Sequence, residues 1–315
     1  MLRKLVVSIF IFSFIALSTL TAQDKVASAS KQVDPVLMTN QLMLVFMERM
    51  KNRDYKEARE IANEMIFAHD KLADTDTVEH KSFHSAMEFE LYKMRQIKNN
   101  ESKEVKWVEQ PVSDGFYLLA MLDFQEGNHD QALASLQKAI NWNPVRSAFF
   151  AERGFMLLKN NKGSDYLMAQ IAYKKALELA DNGEDFAAAL RGLAFIAVER
   201  GHLAEGLAFL IVSKQFDPTN LDAEEELVFI RRADPDLFGS MSLTNAKELM
   251  RKNGYQTTYS PEHIQVLMRL ADNFSTKKAA DKAVLFLKKA REMDPENAEI
   301  KQKLQSIEKS GNSGK

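Results

Sequence analysis

The chain has 315 residues, of which 45% are apolar and 27% charged, the balance of a folded protein rather than a disordered one. Its formal charge of −2 and the lack of a basic block argue against a nucleic-acid partner. Only 12 Gly and 7 Pro are present and cysteine is absent, which disfavours a turn-rich β fold and excludes disulfides and thiolate metal sites.

The first 22 residues are typical of a secretory signal peptide. Arg3 and Lys4 precede an apolar run from Leu5 to Leu17, and small, weakly polar residues follow to Ala22, which is the order of such a signal. Cleavage after Ala22 is predicted, with Ala27-Ser28-Ala29 as a second processing site. The alternative is an uncleaved anchor, although the run is short for a stable span. The sequence therefore predicts export to the periplasm or another part of a bacterial cell envelope, with membrane contact only through this segment if it is retained.

The N-terminal part of the mature chain has a less regular pattern. Residues 23–38 are predicted to be a flexible N-terminus, and 39–112 to contain irregular helices with a polar insertion. Within that part, 39–70 is amphipathic, 75–98 is predicted to be one strong helix, and 99–114 is the polar insertion.

Three side chains in this part are candidates for a site. His80 and His84 would lie one turn apart on the predicted helix, which is a spacing that suits a metal ion. Lys81 stands where a zincin motif needs Glu, and apolar residues share the helix, so packing is the favoured interpretation and no metal site is predicted. Trp107, in the polar insertion, is the better candidate of the two tryptophans for surface recognition.

A spacing of small residues recurs through the rest of the chain. Ala132 is followed by Ala139 and then Pro144, and the same spacing returns in three further sets: Ala169, Ala176 and Asp181; Gly206, Ser213 and Pro218; Ala283, Ala290 and Pro295. The two small residues of each set are about two helical turns apart and share one face, so a second helix can approach closely. The closing proline then ends the helix.

This pattern resembles the tetratricopeptide repeat, in which about 34 residues form a helix-turn-helix unit. The resemblance implies an all-α fold, a right-handed superhelical stack of such repeats (an α-α superhelix), and it makes 39–112 a degenerate start of the stack. It divides the rest of the chain as follows: three repeats over 113–220, a degenerate repeat over 221–263, a repeat over 264–297, an end helix over 298–309 and a disordered tail over 310–315.

In this family the concave surface is lined by the first helix of each repeat and commonly holds peptides or helices of other proteins. Carrying over the family's groove positions gives a mostly apolar set: Tyr117, Met121, Phe124, Ala151, Phe155, Leu158, Arg191, Phe195 and Val198. Only Arg191 could bind a terminal carboxylate, so an apolar helix or strand is the expected ligand. The alternative is that the protein's own helix 75–98 covers the groove.

No nucleophile elbow, Walker loop or dinucleotide fingerprint occurs in the sequence. The sequence therefore predicts no catalytic residue and no cofactor. It favours a non-catalytic exported scaffold or adaptor that binds protein partners, within an envelope complex. The alternative function is a component of a secretion or polysaccharide-export assembly that contacts a membrane channel or a saccharide.

Overall fold

The computed structural model describes residues 35–67, 72, 74–160, 165–277 and 279–312. The predicted signal peptide, its processing sites and the stretch 23–34 lie outside these residues. Over the described residues, none of the helices has the length and apolar character needed to cross a membrane. Helix already begins at Pro35, before the predicted end of the flexible N-terminus, and the last helix continues to Asn312, past the predicted start of the tail.

The described chain is predominantly helical, which confirms the predicted fold class, and it adds one small sheet. Its strands are β1 (Val78–Lys81) and β2 (Glu104–Trp107). Its helices are α1 (Pro35–Lys51), α2 (Tyr55–Ile66), α3 (Ala86–Lys98), α4 (Val112–Gln125), α5 (His129–Trp142), α6 (Ser147–Leu158), α7 (Tyr166–Leu179), α8 (Gly183–Glu199), α9 (Leu203–Phe216), α10 (Leu221–Ala233), α11 (Pro235–Ser240), α12 (Leu243–Lys252), α13 (Pro261–Thr276), α14 (Ala280–Met293) and α15 (Ala298–Asn312).

Four helix pairs carry the repeated spacing, namely α4–α5, α6–α7, α8–α9 and α13–α14. The small residues of the second helices are buried without exposure, as Ala132 and Ala139 illustrate. Gly127 and Gly201 adopt φ angles of 81° and 79° between the paired helices, a left-handed conformation that glycine reaches without a Cβ clash. Small residues thus permit both the close approach of the helices and the tight reversal between them.

The prediction of a single helix over 75–98 is wrong. The segment forms β1 and then α3, whose start is set by Ser85, because its side chain accepts a hydrogen bond from the Glu88 N–H. Strand β1 pairs in parallel with β2, which lies in the predicted polar insertion, and α3 is the crossover that a parallel pair requires. His80 is therefore in a strand and His84 in the turn before α3, so the helical spacing that suggested metal ligands does not exist.

Helix α3 packs against α13 of the last repeat. Buried Phe83, Met87 and Leu91 join Val266 and Leu267 in one apolar cluster. The ends of the two helices are also tied by charge. The Arg95 guanidinium donates to Glu262 at 2.9 and 3.0 Å, and Lys98 Nζ donates to Glu262 at 2.9 Å.

The degenerate repeat contains three helices, α10, α11 and α12, where a regular repeat has two. Helix α12 packs on α9 through buried Ala246 and Met250. After α12 the chain returns to its middle repeats, where Lys289 Nζ of α14 lies 2.7 Å from Asp181 Oδ2, just after α7. The last repeat therefore contacts the middle of the chain and α3.

Candidate protein-binding groove

The first helices of three consecutive repeats, α4, α6 and α8, lie side by side. Rings of Phe124 and Phe155 are 5.5 Å apart between α4 and α6, and the Lys159 ammonium lies 5.7 Å from the Phe195 ring between α6 and α8. In a repeat stack such helices line the concave surface. We call this surface the groove and define it by the nine predicted positions together with Glu152 and Lys159.

Part of the predicted set is buried within the protein. Tyr117, Leu158 and Arg191 are at most 7% exposed. The Tyr117 ring stacks on Phe149 at 5.2 Å, and the Arg191 guanidinium donates to Asp217 at 2.8 Å. These side chains therefore pack beneath the groove surface, and Arg191 forms an ion pair with Asp217 of its own chain.

Four large apolar side chains of the predicted set keep exposed area. Met121 and Phe124 on α4, Phe155 on α6 and Phe195 on α8 are all half-buried. Three of them belong to one cluster, because Met121, Phe124 and Phe155 pack against the same core. The groove thus presents a ridge of aromatic and thioether groups across three helices, a surface type favoured at protein interfaces.

Helix α3 does not lie over the groove, the position that the sequence analysis gives as the alternative for the helix 75–98. Its buried residues Met87 and Leu91 cluster with α13 and α14, whereas Met121 and Phe155 cluster with α1, α2 and α5. Helix α3 therefore packs on the last repeat and does not cover the groove at Met121 and Phe155.

Glu152 is a groove residue that sequence reasoning missed. It is half-buried on α6, and burial raises the pKa of its carboxyl to about 7. Among the residues that the structure describes, no cation forms an ion pair with it. The family's groove positions include Ala151 but not Glu152. Its place next to Ala151 in the sequence is the only signal that could have identified it.

Lys159 is the cation of the groove that sequence reasoning also missed. Burial lowers the pKa of its ammonium, and Glu199 partly offsets that effect. Because the ammonium also lies against the Phe195 ring, Lys159 is held at the α6–α8 side. The groove therefore combines an aromatic ridge with one unpaired carboxylate and one cation that is already engaged.

A buried polar network anchors the inserted sheet at the start of α4 and α6. Arg146 Nη1 lies 3.3 Å from Asp114 Oδ1 and 4.0 Å from Glu88 Oε1. Burial alone would raise the pKa of Asp114, but Arg146 and His84 lower it below its ordinary value. Asn143 donates to Glu88 at 2.8 Å. This network holds α3 and the α5–α6 connection together, so it explains the charged residues there structurally.

Trp107, the predicted surface residue, ends β2 and is 37% exposed. Its indole N–H donates to the Phe83 carbonyl at 3.1 Å, and its ring lies 5.4 Å from Phe89. The polar edge of Trp107 is thus used within the protein, while part of the ring remains at the surface.

The two histidines whose sequence spacing suits a metal ion face separate carboxylates. His80 Nδ1 is 3.3 Å from Asp74 and His84 Nδ1 is 3.7 Å from Asp114. Within the described ranges, no group of three or more His, Cys, Asp or Glu side chains is arranged to hold a metal ion.

A sequence model described as the tetratricopeptide repeat matches residues 113–146, the unit formed by α4 and α5. This unit of the chain is a tetratricopeptide repeat. The match coincides with the first regular repeat that the residue spacing predicts, including Ala132, Ala139 and Pro144. No curated protein sequence matches the chain.

Solved structures resemble this chain over most of its length at low identity. One is pilF of Pseudomonas aeruginosa, with 11% identity, 86% of this chain and 98% of that chain covered, and a TM-score of 0.45. A tetratricopeptide repeat protein of Parabacteroides merdae has 16% identity, coverages of 85% and 98%, and a TM-score of 0.31. The C-terminal part of a repeat protein of Cytophaga hutchinsonii has 15% identity, coverages of 84% and 98%, and a TM-score of 0.34. TM-scores this low carry no inference about function.

Proposed function

We propose that this tetratricopeptide-repeat protein is a non-catalytic scaffold that binds a segment of another protein in the groove of α4, α6 and α8. The repeat fold itself supports a role in protein–protein interaction. The observation that carries the specific proposal is the ridge of half-buried apolar side chains, Met121, Phe124, Phe155 and Phe195, which spans three repeats. Aromatic anchors of this kind dominate the affinity of protein interfaces.

The groove also indicates the chemistry of the bound segment. Glu152 sits beside this ridge without a cationic partner among the described residues, so a ligand without a positive group leaves it poorly solvated. A Lys or Arg side chain next to apolar residues would pair with Glu152 while the rest of the segment covers the ridge. The proposed ligand is therefore an apolar segment, helical or extended, with one basic side chain near its centre.

The experiment that tests this proposal is photo-crosslinking in cells from position Phe155, with Leu285 as the matched control. Leu285 on α14 is 65% exposed and apolar, but it lies outside the groove. A discrete protein adduct at position 155 and none at position 285 is expected, and mass spectrometry would identify the partner. Products confined to the chain itself at position 155 would contradict a groove open to partners.

The crosslinked partner is then tested with charge substitutions. Phe155→Glu places a second carboxylate beside Glu152 and should abolish capture of the partner, whereas Leu285→Glu should leave it unchanged. Retention of the partner by Phe155→Glu would reject the groove as the binding site.

We also propose that the protein acts in the bacterial cell envelope after removal of residues 1–22. The support is the order of basic, apolar and small residues at the N-terminus. Recovery of the protein from the periplasmic fraction with Gln23 as its first residue is expected. Recovery from the cytoplasm with an intact N-terminus would contradict export, and an intact N-terminus in the membrane fraction would indicate an anchor. Co-purification with an outer-membrane channel would favour the secretion or polysaccharide-export assembly over a soluble partner.

A further inference from the structure

The outer edge of β2 is open. Glu104 N–H donates to the Thr77 carbonyl at 2.8 Å and Val108 N–H to the Lys81 carbonyl at 2.7 Å, so these groups face β1. Backbone groups of successive strand residues point to opposite edges, and those of Val105 and Trp107 therefore point away from β1. No described residue donates to or accepts from them.

The outer edge of β1, in contrast, is closed by the protein itself. The Asp74 carboxylate accepts from the His80 N–H at 2.7 Å. The Val78 carbonyl accepts from the Thr75 N–H at 2.8 Å, and just past the strand the Ser82 N–H donates to the Trp142 carbonyl at 3.0 Å. The outer edge of β1 is thus closed by hydrogen bonds within the protein, whereas the outer edge of β2 is open. An open strand edge can pair with a strand of another chain.

The side chains of β2 have a pattern suited to a further strand. Glu104 and Lys106 are exposed on one face, and neither forms an ion pair with a described residue. On the other face Val105 is half-buried against the α3–α13 cluster, and Trp107 is 37% exposed. An added strand would therefore find an apolar floor on one side and two free opposite charges on the other.

We propose that β2 pairs antiparallel with β2 of a second copy of this chain, so that two sheets join into one of four strands. When Val105 faces Val105 of the second copy, their N–H and C=O groups exchange both hydrogen bonds of an antiparallel pair. In this register Glu104 faces Lys106 of the second copy, and by symmetry the pair occurs twice. Opposite charges directly across a strand pair stabilise it.

Charge selects this register over its neighbour. Centring the pair on Lys106 would also let Val105 and Trp107 form hydrogen bonds, but it places the two Lys106 ammonium groups opposite each other, and like charges there are destabilising. The interface is isologous and closes as a dimer. It is independent of the groove, because it uses neither α4, α6 nor α8.

Sedimentation equilibrium of the full chain, from about 1 μM to several hundred μM, tests the proposal by charge exchange. The unaltered chain should approach twice the monomer mass at the high end. Lys106→Glu and Glu104→Lys should each stay monomeric, because each places like charges across the pair. The double exchange Glu104→Lys with Lys106→Glu should restore the dimer, since every pair is again opposite in sign. Lys252→Glu, at an exposed position on α12, should not change the association.

Val105→Pro provides a second variant that spares the fold. It removes the outward N–H and exchanges the half-buried valine side chain for an apolar ring of similar size. Proline is tolerated at the solvent edge of a strand, so circular dichroism should be unchanged while the dimer is lost. A monomer at all concentrations for the unaltered chain would overturn the proposal. So would a dimer that survives Val105→Pro, or a double exchange that fails to restore association.

Discussion

Glu152 is a carboxyl group whose protonation changes near neutral pH. Burial raises its pKa from 4.5 to about 7, so the folded state disfavours the ion that the unfolded chain carries without cost. Stability is therefore lost as the pH rises from about 4.5 through 7. The full pKa difference corresponds to about 3 kcal/mol, and partial exposure to water reduces it to about 1–2 kcal/mol. Glu152→Gln should exceed the unaltered protein in unfolding free energy by about 1–2 kcal/mol at pH 8 and match it at pH 4.

Urea denaturation at the two pH values measures this difference. The matched control is Glu248→Gln, at an exposed position on α12, which should leave the pH dependence unchanged. An equal pH dependence for Glu152→Gln and the unaltered chain would show that the carboxyl is solvated in the folded state. Addition of a ligand with a basic side chain should remove the advantage of Glu152→Gln.

His263 makes the protein sensitive to acid. It is fully buried at the start of α13, and burial lowers its pKa from 6.5 to about 4. Asp181 partly opposes this shift, whereas the cations Arg95 and Lys289 add to it. Between these two values the unfolded chain binds a proton that the folded chain excludes, so stability falls as the pH drops from 6.5 to 4. The loss attributable to this residue is about 3 kcal/mol.

His263→Leu isolates that contribution, because leucine is apolar and does not titrate. The difference in unfolding free energy between the unaltered chain and His263→Leu should decrease by about 2–3 kcal/mol from pH 7 to pH 4, as measured by urea denaturation. If both proteins lose stability in parallel, His263 is not the group that is protonated on unfolding.

At the scale of elements, the α6–α7–α8 packing depends on the absence of two side chains. Tyr173 of α7 is inserted between glycines of the neighbouring helices: a Cβ on Gly192 would lie 2.2 Å from its ring, and one on Gly154 would lie 2.7 Å away. Gly192→Ala should therefore destabilise the protein by about 1–3 kcal/mol through overpacking. Thermal unfolding followed by circular dichroism measures the effect.

Gly239 is the matched control for this prediction. It lies in helix α11, and a Cβ there meets no atom within 4 Å, so Gly239→Ala should be neutral or stabilising by up to about 1 kcal/mol. Equal melting temperatures for the two alanine variants would contradict the close approach of Tyr173.

The inserted β1–α3–β2 element shows where local patterns fail. The apolar spacing of Met87, Leu91 and Met94 is helical, and it correctly indicates α3, whereas Phe83 lies before the helix. The four residues of β1 precede that spacing, and their strand conformation depends on β2, which is distant in the sequence. Since neither strand satisfies its hydrogen bonds alone, only the pairing reveals them.

At the scale of the whole molecule, the last repeat returns to the middle of the chain. Lys289 is 2.7 Å from Asp181 and Lys98 is 2.9 Å from Glu262. A zero-length carbodiimide couples lysine to a carboxylate in direct contact, so both crosslinks should be found by mass spectrometry of the digested protein. The pair of Lys303 on α15 and Asp272 on α13, whose charged atoms are 2.7 Å apart, supplies the internal control.

The outcome separates two arrangements of the repeats. The control crosslink together with both long-range crosslinks would support the return of α13 and α14 to α3 and α7. The control crosslink alone would indicate an open stack in which the last repeat extends away from the others.

The sequence predicts where the candidate groove lies, but not which of its side chains are exposed to a partner. The repeat register places Phe124, Phe155 and Phe195 on adjacent first helices, and the structure leaves them half-buried there. The same register selects Tyr117 and Arg191, which are buried through Phe149 and Asp217. Whether a side chain at a groove position is free depends on neighbours from other helices, and the register of one helix does not contain them.

By itself the sequence determined the repeat architecture. Small residues two turns apart recur in each unit, and a closing proline, or Asp181 in one unit, follows them within the same helix pair. Each such signal is local, so a chain of them defines the helices, their turns and the core between them. Only the tertiary structure decided the path of the last repeat, the parallel sheet with its open edge, and the enclosure of Glu152 and His263. These depend on contacts between residues far apart in sequence, and a charge pair or a strand pair leaves no periodic trace along the chain.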